Sequence, residues 1–431
     1  MSAANVPATV YLVGAGPGDP GMLTLRGAEV LGRAQVVLYD YLANPALLRH
    51  VRPEAELVCL GRHGQGRMWS QEEIHQRLLL EARAGKTVVR LKGGDPAVFA
   101  RGAQEAEFLA QHGVPFEIVP GITTALAAGS CAGIPITHHD LASAVALVTG
   151  QERPGKEESQ LDYAALAAFP GTLVFYMGVT TARRWTADLL AAGKPPETPA
   201  AVIRRASLPD QQTFRCRLDE VAEVIDPPNG KRMRPPVIVV VGEVAGVDER
   251  LAWFERRPLF GRTVLVARPA GQAEELAGPL AERGARVLVQ PAIEIGPPED
   301  WAPVDRALTK IGSFDWLVFS SGNGVRALLG RLLEQGGDLR ALGGVKLAAI
   351  GPGTAAALAA FHLKADVIPA EYRAEALVEA LASSASGKRF LLARASRGRE
   401  VLREGLVAAG AEVEQVVVYA SRDCAEHDAE I

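Results

Sequence analysis

The chain has 431 residues, 48% of them apolar, and a formal net charge of -4, a length that calls for two or three separate cores because single cores stop growing at about 250 to 300 residues. The acidic balance argues against a general nucleic-acid binder. No uncharged apolar run reaches the roughly 18 residues of a membrane span and no basic-then-apolar leader opens the chain, so a cytoplasmic protein with no membrane partner is expected.

Residues 9–13 are β-branched and apolar and end in glycines, and residues 23–31 then have helical spacing, so the chain opens as strand, turn, helix. A second strand at 36–39 ends on Asp40. Residues 71–84 read as a helix, 87–91 as a buried strand, 104–111 as a helix and 115–120 as a strand, an alternation that implies a mostly parallel α/β sheet. Pro120-Gly121-Ile122-Thr123-Thr124 then opens a small-residue helix, and the pattern resumes with strands at 144–149, 173–176, 200–203 and 237–241. After the charged, proline-ended joint Glu255-Arg256-Arg257-Pro258, six further strands are expected, at 263–267, 286–290, 316–320, 346–350, 389–393 and 414–419. Domains are thus expected at 9–119, 120–247 and 258–431. The four cysteines, Cys59, Cys131, Cys216 and Cys424, form no Cys-x-x-Cys pair; they suggest neither a zinc site nor a disulfide framework and read as small core residues.

Two glycine-rich turns stand out, Gly14-Ala15-Gly16-Pro17-Gly18-Asp19 and Lys92-Gly93-Gly94-Asp95-Pro96, each after a strand. The first has the look of a dinucleotide fingerprint with Asp40 as its ribose acid, but Asp19 stands where that fingerprint needs glycine, and its carboxylate would repel a pyrophosphate. A bare chain-turning role remains open for the first turn, as does a turn-forming role for Asp95 and that of an exposed strand-end carboxylate for Asp40.

Residues 10–27, together with Val36-Val37-Leu38-Tyr39-Asp40, Val89-Arg90-Leu91-Lys92-Gly93-Gly94-Asp95-Pro96, Val119-Pro120-Gly121-Ile122-Thr123, Ala132-Gly133-Ile134-Pro135-Ile136-Thr137-His138 and Phe175-Tyr176-Met177-Gly178, resemble the uroporphyrinogen-III C-methyltransferases of the tetrapyrrole methylase family over residues 9–247. The resemblance implies two α/β lobes with S-adenosylmethionine in the cleft between them, no metal, a homodimer, and methylation of two pyrrole carbons of uroporphyrinogen III to give precorrin-2. By position it assigns the donor to Pro17, Gly93, Gly94, Asp95 and Val98 from the first lobe and to Thr123, Thr124, Met177 and Ala206 from the second. It makes Asp40 the proton acceptor. Arg62 stands where the family has a lysine; arginine does not give up a proton near neutral pH, so carboxylate anchoring is what survives there, with His63 or His75 as alternative donors. The substrate is ringed with carboxylates, for which Arg62, His63, Arg67, Lys92, Arg101, His138, His139 and Arg153 are candidate cations.

Residues 258–431 resemble uroporphyrinogen-III synthase through Gly261-Arg262-Thr263-Val264-Leu265-Val266, Trp316-Leu317-Val318-Phe319-Ser320-Ser321-Gly322-Asn323-Gly324 and Val418-Tyr419. This implies cyclisation of hydroxymethylbilane, with Tyr419 aiding loss of the hydroxyl and Ser320, Ser321 and Thr354 binding carboxylates. With twelve residues after Tyr419, the family's return to its first lobe is expected to be truncated.

Overall fold

Short aliphatic runs and the amphipathic stretches between them build the first lobe. In the computed structural model, which describes residues 8–61, 68–152 and 160–424, the strands β1 (Val10–Gly14), β2 (Val36–Tyr39), β3 (Glu56–Cys59), β4 (Val88–Lys92) and β5 (Phe116–Val119) form a sheet in the order β3-β2-β4-β1-β5. Every pairing in it is parallel. Helix α1 (Leu25–Arg33) starts where the Thr24 hydroxyl accepts from Gly27 N, and α2 (Gln71–Arg83) starts at a reciprocal Ser70–Glu73 capping box. Val30 and Leu31 of α1 pack with Val13, Val37, Val89 and Leu91 on one face. Ile74 and Leu78 of α2, with Ala106 and Leu109 of α3 (Gly102–Gln111), cover Val10, Leu12, Leu38 and Val88 on the other. Cover on both faces explains the continuous apolar runs of the central strands. Each fully buried aliphatic side chain contributes roughly 1.5–3 kcal/mol.

The second lobe departs from the expected parallel pattern. Strands β6 (Val145–Thr149), β7 (Thr172–Tyr176), β8 (Pro199–Arg204), β9 (Gln212–Arg217) and β10 (Val237–Val241) lie in the order β6-β7-β10-β8-β9. Only β6 and β7 run parallel; β10 is antiparallel to both β7 and β8, and β8 to β9. The short connection between β8 and β9 leaves no room for a crossover helix, which a parallel pair requires. Helix α4 (Thr124–Ala132) joins this lobe, its Ala125, Ala128 and Ala132 buried with Val174, Ala201, Ile203 and Val240. The expected joint packs here too: Phe254 is buried, and the Trp253 indole donates to Ser130 O at 2.9 Å.

The chain divides into two compact units, Met1–Val264 with Pro279–Arg286 and Leu265–Gly278 with Val287–Ile431. Strands β11 (Thr263–Val266) and β12 (Arg286–Val289) make a two-stranded sheet. In the second unit β13 (Ile293–Gly296), β14 (Trp316–Phe319), β15 (Lys346–Ala349), β16 (Arg389–Ala395) and β17 (Glu412–Asp423) follow the order β13-β17-β16-β14-β15, all parallel except β13 against β17. One face of that sheet packs Leu317, Phe319 and Leu391 on Val325, Leu328 and Leu329, the other packs Val318, Phe390 and Leu392 on Leu377, Leu381 and Leu406. Among the described residues no helix is long and apolar enough to cross a membrane. Of the cysteines only Cys131 is buried, and the others are half-buried rather than core. Burial pushes the Cys131 and Cys216 thiols up to about 11, so neither is a thiolate near neutral pH.

Candidate active site

Because β1 and β4 are neighbours, their glycine turns emerge side by side. Ala15 N donates to Lys92 O at 2.7 Å, Gly94 N to Gly16 O at 2.8 Å, and Gly16 N to Gly94 O at 3.2 Å. A Cβ on Gly14 would lie 2.5 Å from Gly121 Cα, and one on Gly121 would fall on the Gly94 carbonyl oxygen, so three turns meet main chain to main chain. Asp95 ties them: Oδ1 accepts from Ala97 N at 2.7 Å and Oδ2 from Gly121 N at 2.9 Å. Gly94 itself has φ +69°, with open space where a side chain would stand. The junction therefore presents bare backbone, a surface a ligand can approach closely.

The second lobe closes on this junction through Tyr176. Its hydroxyl lies 2.7 Å from Thr123 Oγ1 and accepts from Ala125 N at 3.0 Å, and its ring is 5.0 Å from that of Phe99. Burial pushes the Tyr176 phenol up, so it stays protonated. From the other side Asn44 Nδ2 holds Gly18 O at 2.7 Å and Ser207 Oγ holds Asp19 N at 3.1 Å, which stretches the Pro17 turn from one lobe to the other. Phe99, Arg101, Met177, Arg205 and Ser207, five of the six non-glycine residues with left-handed φ among the described residues, sit in these loops. Such conformations cost of order 1–3 kcal/mol each and collect at functional sites. Pro17, Gly93, Gly94, Val98 and Thr124 are thus brought together half-buried, with Met177 exposed, whereas Thr123 and Ala206 turn inward and are buried. Tyr176→Phe is expected to cost about 1–3 kcal/mol, since Thr123 and Ala125 N both lose their partner; thermal unfolding measures it, and an unchanged Tm would contradict it.

Asp40, at the carboxyl end of β2, receives Arg90 NH2 on Oδ1 at 2.6 Å. Alternation along β4 puts Arg90 and Lys92 on the face covered by α2 and α3, where both are buried with Glu105. Lys92, expected among the substrate cations, is instead 1% exposed and bonded to Glu105 Oε1 at 2.8 Å. Burial alone would push the Glu105 carboxyl up; the Arg90 and Lys92 cations outweigh it and hold it below the usual carboxylate range. Burial, then the charge of Arg90, pull the Lys92 ammonium down. With its folded pKa below the unfolded value of about 4.3, Glu105 contributes stability that is present above that value and lost as pH falls through the folded one. Scanning calorimetry should show Tm falling from about pH 5 to pH 3, less steeply for Glu105→Gln than for the parent; identical slopes would contradict this.

Arg62, His63, Arg67 and Arg153 lie outside the described residues. His75 stacks on Phe108 with ring centroids 4.5 Å apart, and burial lowers its pKa, which suits a packed neutral ring better than a proton donor. His138 and His139 stack at 4.7 Å beside Asp140, and Arg101 is exposed. Arg90 and Tyr176 lie within the quoted motifs with no role assigned to them, and Phe99 and Glu105 lie outside those motifs. Charged residues at alternate positions of a buried strand, Arg90 and Lys92 of β4, were the signal for a buried ion cluster and so for its counter-charge Glu105.

In the second unit the Tyr419 hydroxyl lies 3.0 Å from Ser321 Oγ, which also caps Gly324 N at 3.1 Å. Tyr419 borders a cavity of about 350 Å³ together with Trp301, Asn323, Arg326 and Arg331. Ser320 is half-buried at the end of β14, but Thr354, expected to bind carboxylates, is buried and turned into the core instead.

The family of tetrapyrrole (corrin/porphyrin) methylases matches residues 9–222, and that of uroporphyrinogen-III synthase matches residues 274–431. The chain is 36% identical over 360 residues to the porphyrin biosynthesis protein HemD of Ruminiclostridium josui, covering 84% of this chain and 71% of that protein. It is 38% identical over 333 residues to the uroporphyrinogen-III C-methyltransferase of Bacillus subtilis, covering 77% and 68%. Among solved structures, a uroporphyrin-III C-methyl transferase from Thermus thermophilus complexed with S-adenyl homocysteine is 44% identical, covering 56% of this chain and 99% of that one with a TM-score of 0.47.

Proposed function

Because the chain belongs to the tetrapyrrole methylase family and carries a uroporphyrinogen-III synthase region after it, we propose that it methylates two pyrrole carbons of uroporphyrinogen III with S-adenosylmethionine, giving precorrin-2. The observation that carries this reading is the junction where the backbones of Gly14, Gly94 and Gly121 meet, with open space at Gly94 where a side chain would stand. The residues present fit the donor: Gly94 leaves free the volume a side chain would fill, and Met177 and Thr124 stand on the opposite lobe. When bound, S-adenosylmethionine supplies a methyl group on a cationic sulfonium, which leaves without acid assistance.

In this reading Pro17, Gly93, Gly94 and Val98 wall the donor on one side and Thr124, Met177 and the main chain at Ala206 on the other. Asp95 and Thr123 act one step back, holding the loops. Alignment of the donor methyl with an electron-rich carbon, and exclusion of water, are what the cleft contributes. Transfer of that methyl would leave the ring cationic, and Asp40 Oδ2 would take the proton whose loss returns it to neutrality. Incubation with S-adenosylmethionine and uroporphyrinogen III should add two methyl groups to the product by mass spectrometry; an unchanged substrate mass overturns the proposal. A cytoplasmic homodimer is part of the same reading.

The pairing of Tyr419 with Ser321 beside a cavity holding Arg326 favours a second activity, closure of hydroxymethylbilane to uroporphyrinogen III. The full chain should cyclise that substrate, and Tyr419→Phe should slow it. No cyclisation by the full chain would leave the region a docking module for other tetrapyrrole enzymes, and equal rates in the two proteins would remove Tyr419 from the step.

A further inference from the structure

The buried charges beneath α2 and α3 take no part in the steps above. Glu105 is 0% exposed and Arg90 3%. Glu105 Oε1 accepts from Lys92 Nζ at 2.8 Å, from Gln71 Nε2 at 3.1 Å and from Arg90 Nε at 3.3 Å, while Oε2 is buried with no hydrogen-bond partner among the described residues. The Arg90 guanidinium is gripped on three sides. Nε meets Glu105, NH1 donates to the Leu91 carbonyl at 3.1 Å, and NH2 donates to Asp40 Oδ1 at 2.6 Å. A guanidinium is a rigid planar fork, so fixing Nε and NH1 fixes the direction of NH2. Asp40 Oδ2 takes no hydrogen bond among the described residues.

From this chain of contacts we infer that Glu105 is a positioning residue for methyl transfer: it orients Arg90, and Arg90 in turn aims the Asp40 carboxylate so that Oδ2 is the oxygen presented to the ring. The inference rests on Asp40 being the proton acceptor proposed above. The competing account is that Glu105 merely neutralises two buried cations, as any isolated buried charge must be neutralised. The two accounts separate once charge balance is restored without the carboxylate. Lys92 touches Glu105 and not Asp40, so Lys92→Met combined with Glu105→Leu removes one cation with one anion, takes away the acceptor oxygen that Arg90 Nε meets, and leaves Arg90 paired with Asp40 alone.

The test uses the full chain in four forms: parent, Glu105→Leu, Lys92→Met and the double variant. Each is assayed for Tm, kcat, KM for uroporphyrinogen III and S-adenosylhomocysteine affinity. Glu105→Leu should lower kcat by about 10- to 100-fold, the usual cost of losing a group that orients another, with KM and S-adenosylhomocysteine affinity held. The double variant should regain Tm while kcat stays low, and Lys92→Met should keep the parent kcat. If kcat recovers along with Tm in the double variant, Glu105 is only a counter-charge and the inference is overturned. A folded parent that binds S-adenosylhomocysteine but transfers no methyl overturns the reading of the reaction, and this inference with it.

Discussion

Exchanging Asp40 for Asn is expected to lower kcat by about 10²- to 10⁴-fold, the usual worth of a positioned proton acceptor. The substitution keeps shape and an acceptor oxygen, so Arg90 NH2 can still be met at the place where it now bonds Oδ1 at 2.6 Å. It removes the basicity that would take a proton from the methylated ring. Asp40 lies at the end of β2, whereas the donor cleft is built from the turns after β1 and β4 and from α4, so S-adenosylhomocysteine affinity should stay at the parent value. The Asp40 side chain is 30% exposed, which lets water replace part of what Arg90 loses, and the Tm loss should be small beside the loss of turnover. Steady-state kinetics with calorimetric titration separates the two effects. An Asn variant turning over at the parent rate would remove Asp40 from the reaction.

Much of the first lobe was legible in the sequence because its central strands are buried on both faces. β1 and β2 read as continuous apolar runs and β4 as one broken by Arg90, and turns such as that at Gly94 need a backbone that only glycine supplies freely. The strands that were missed, β3, β9 and β13, share one property: each lies at the edge of its sheet. An edge strand is covered unevenly, so Glu56–Cys59 and Gln212–Arg217 mix exposed and half-buried residues, with at most a three-residue apolar stretch in the first and none in the second. The antiparallel arrangement around β10 was hidden for a different reason, since strand direction is set by connections between distant segments and not by local composition. At the site, the residue types in the glycine turns foretold the bare junction, while Tyr176 meets Thr123 from 53 residues away and Glu105 meets Arg90 from 15 residues away, on another element. Lys92 shows the same limit. A lysine beside two glycines reads as a surface cation until the partner strand and α3 bury it.

Gly121→Ala should be among the most damaging single changes in the first unit. The added methyl would fall on the Gly94 carbonyl oxygen and close to Gly14 Cα, and both obstacles are backbone, so no side chain can rotate away. Relief requires the turns to part, and that breaks the Asp95 bond to Gly121 N and the paired bonds between Gly16 and Gly94. Overpacking of this kind costs typically about 1–3 kcal/mol and occasionally more. The lost hydrogen bonds add to it, since buried partners left unpaired carry their own desolvation cost. Gly32→Ala provides the contrast within the same unit. It lies in α1, its nearest neighbour to a new Cβ is at 3.5 Å, and alanine in a helix should stabilise by roughly 0.5–1 kcal/mol. Thermal unfolding should therefore move in opposite directions for the two variants. Calorimetry should show S-adenosylhomocysteine binding lost for Gly121→Ala and kept for Gly32→Ala, because the same contact that holds the turns together shapes the surface the donor meets. A Gly121→Ala protein with the parent's Tm and affinity would mean that the three turns do not touch in solution, and the cleft would have to be built another way.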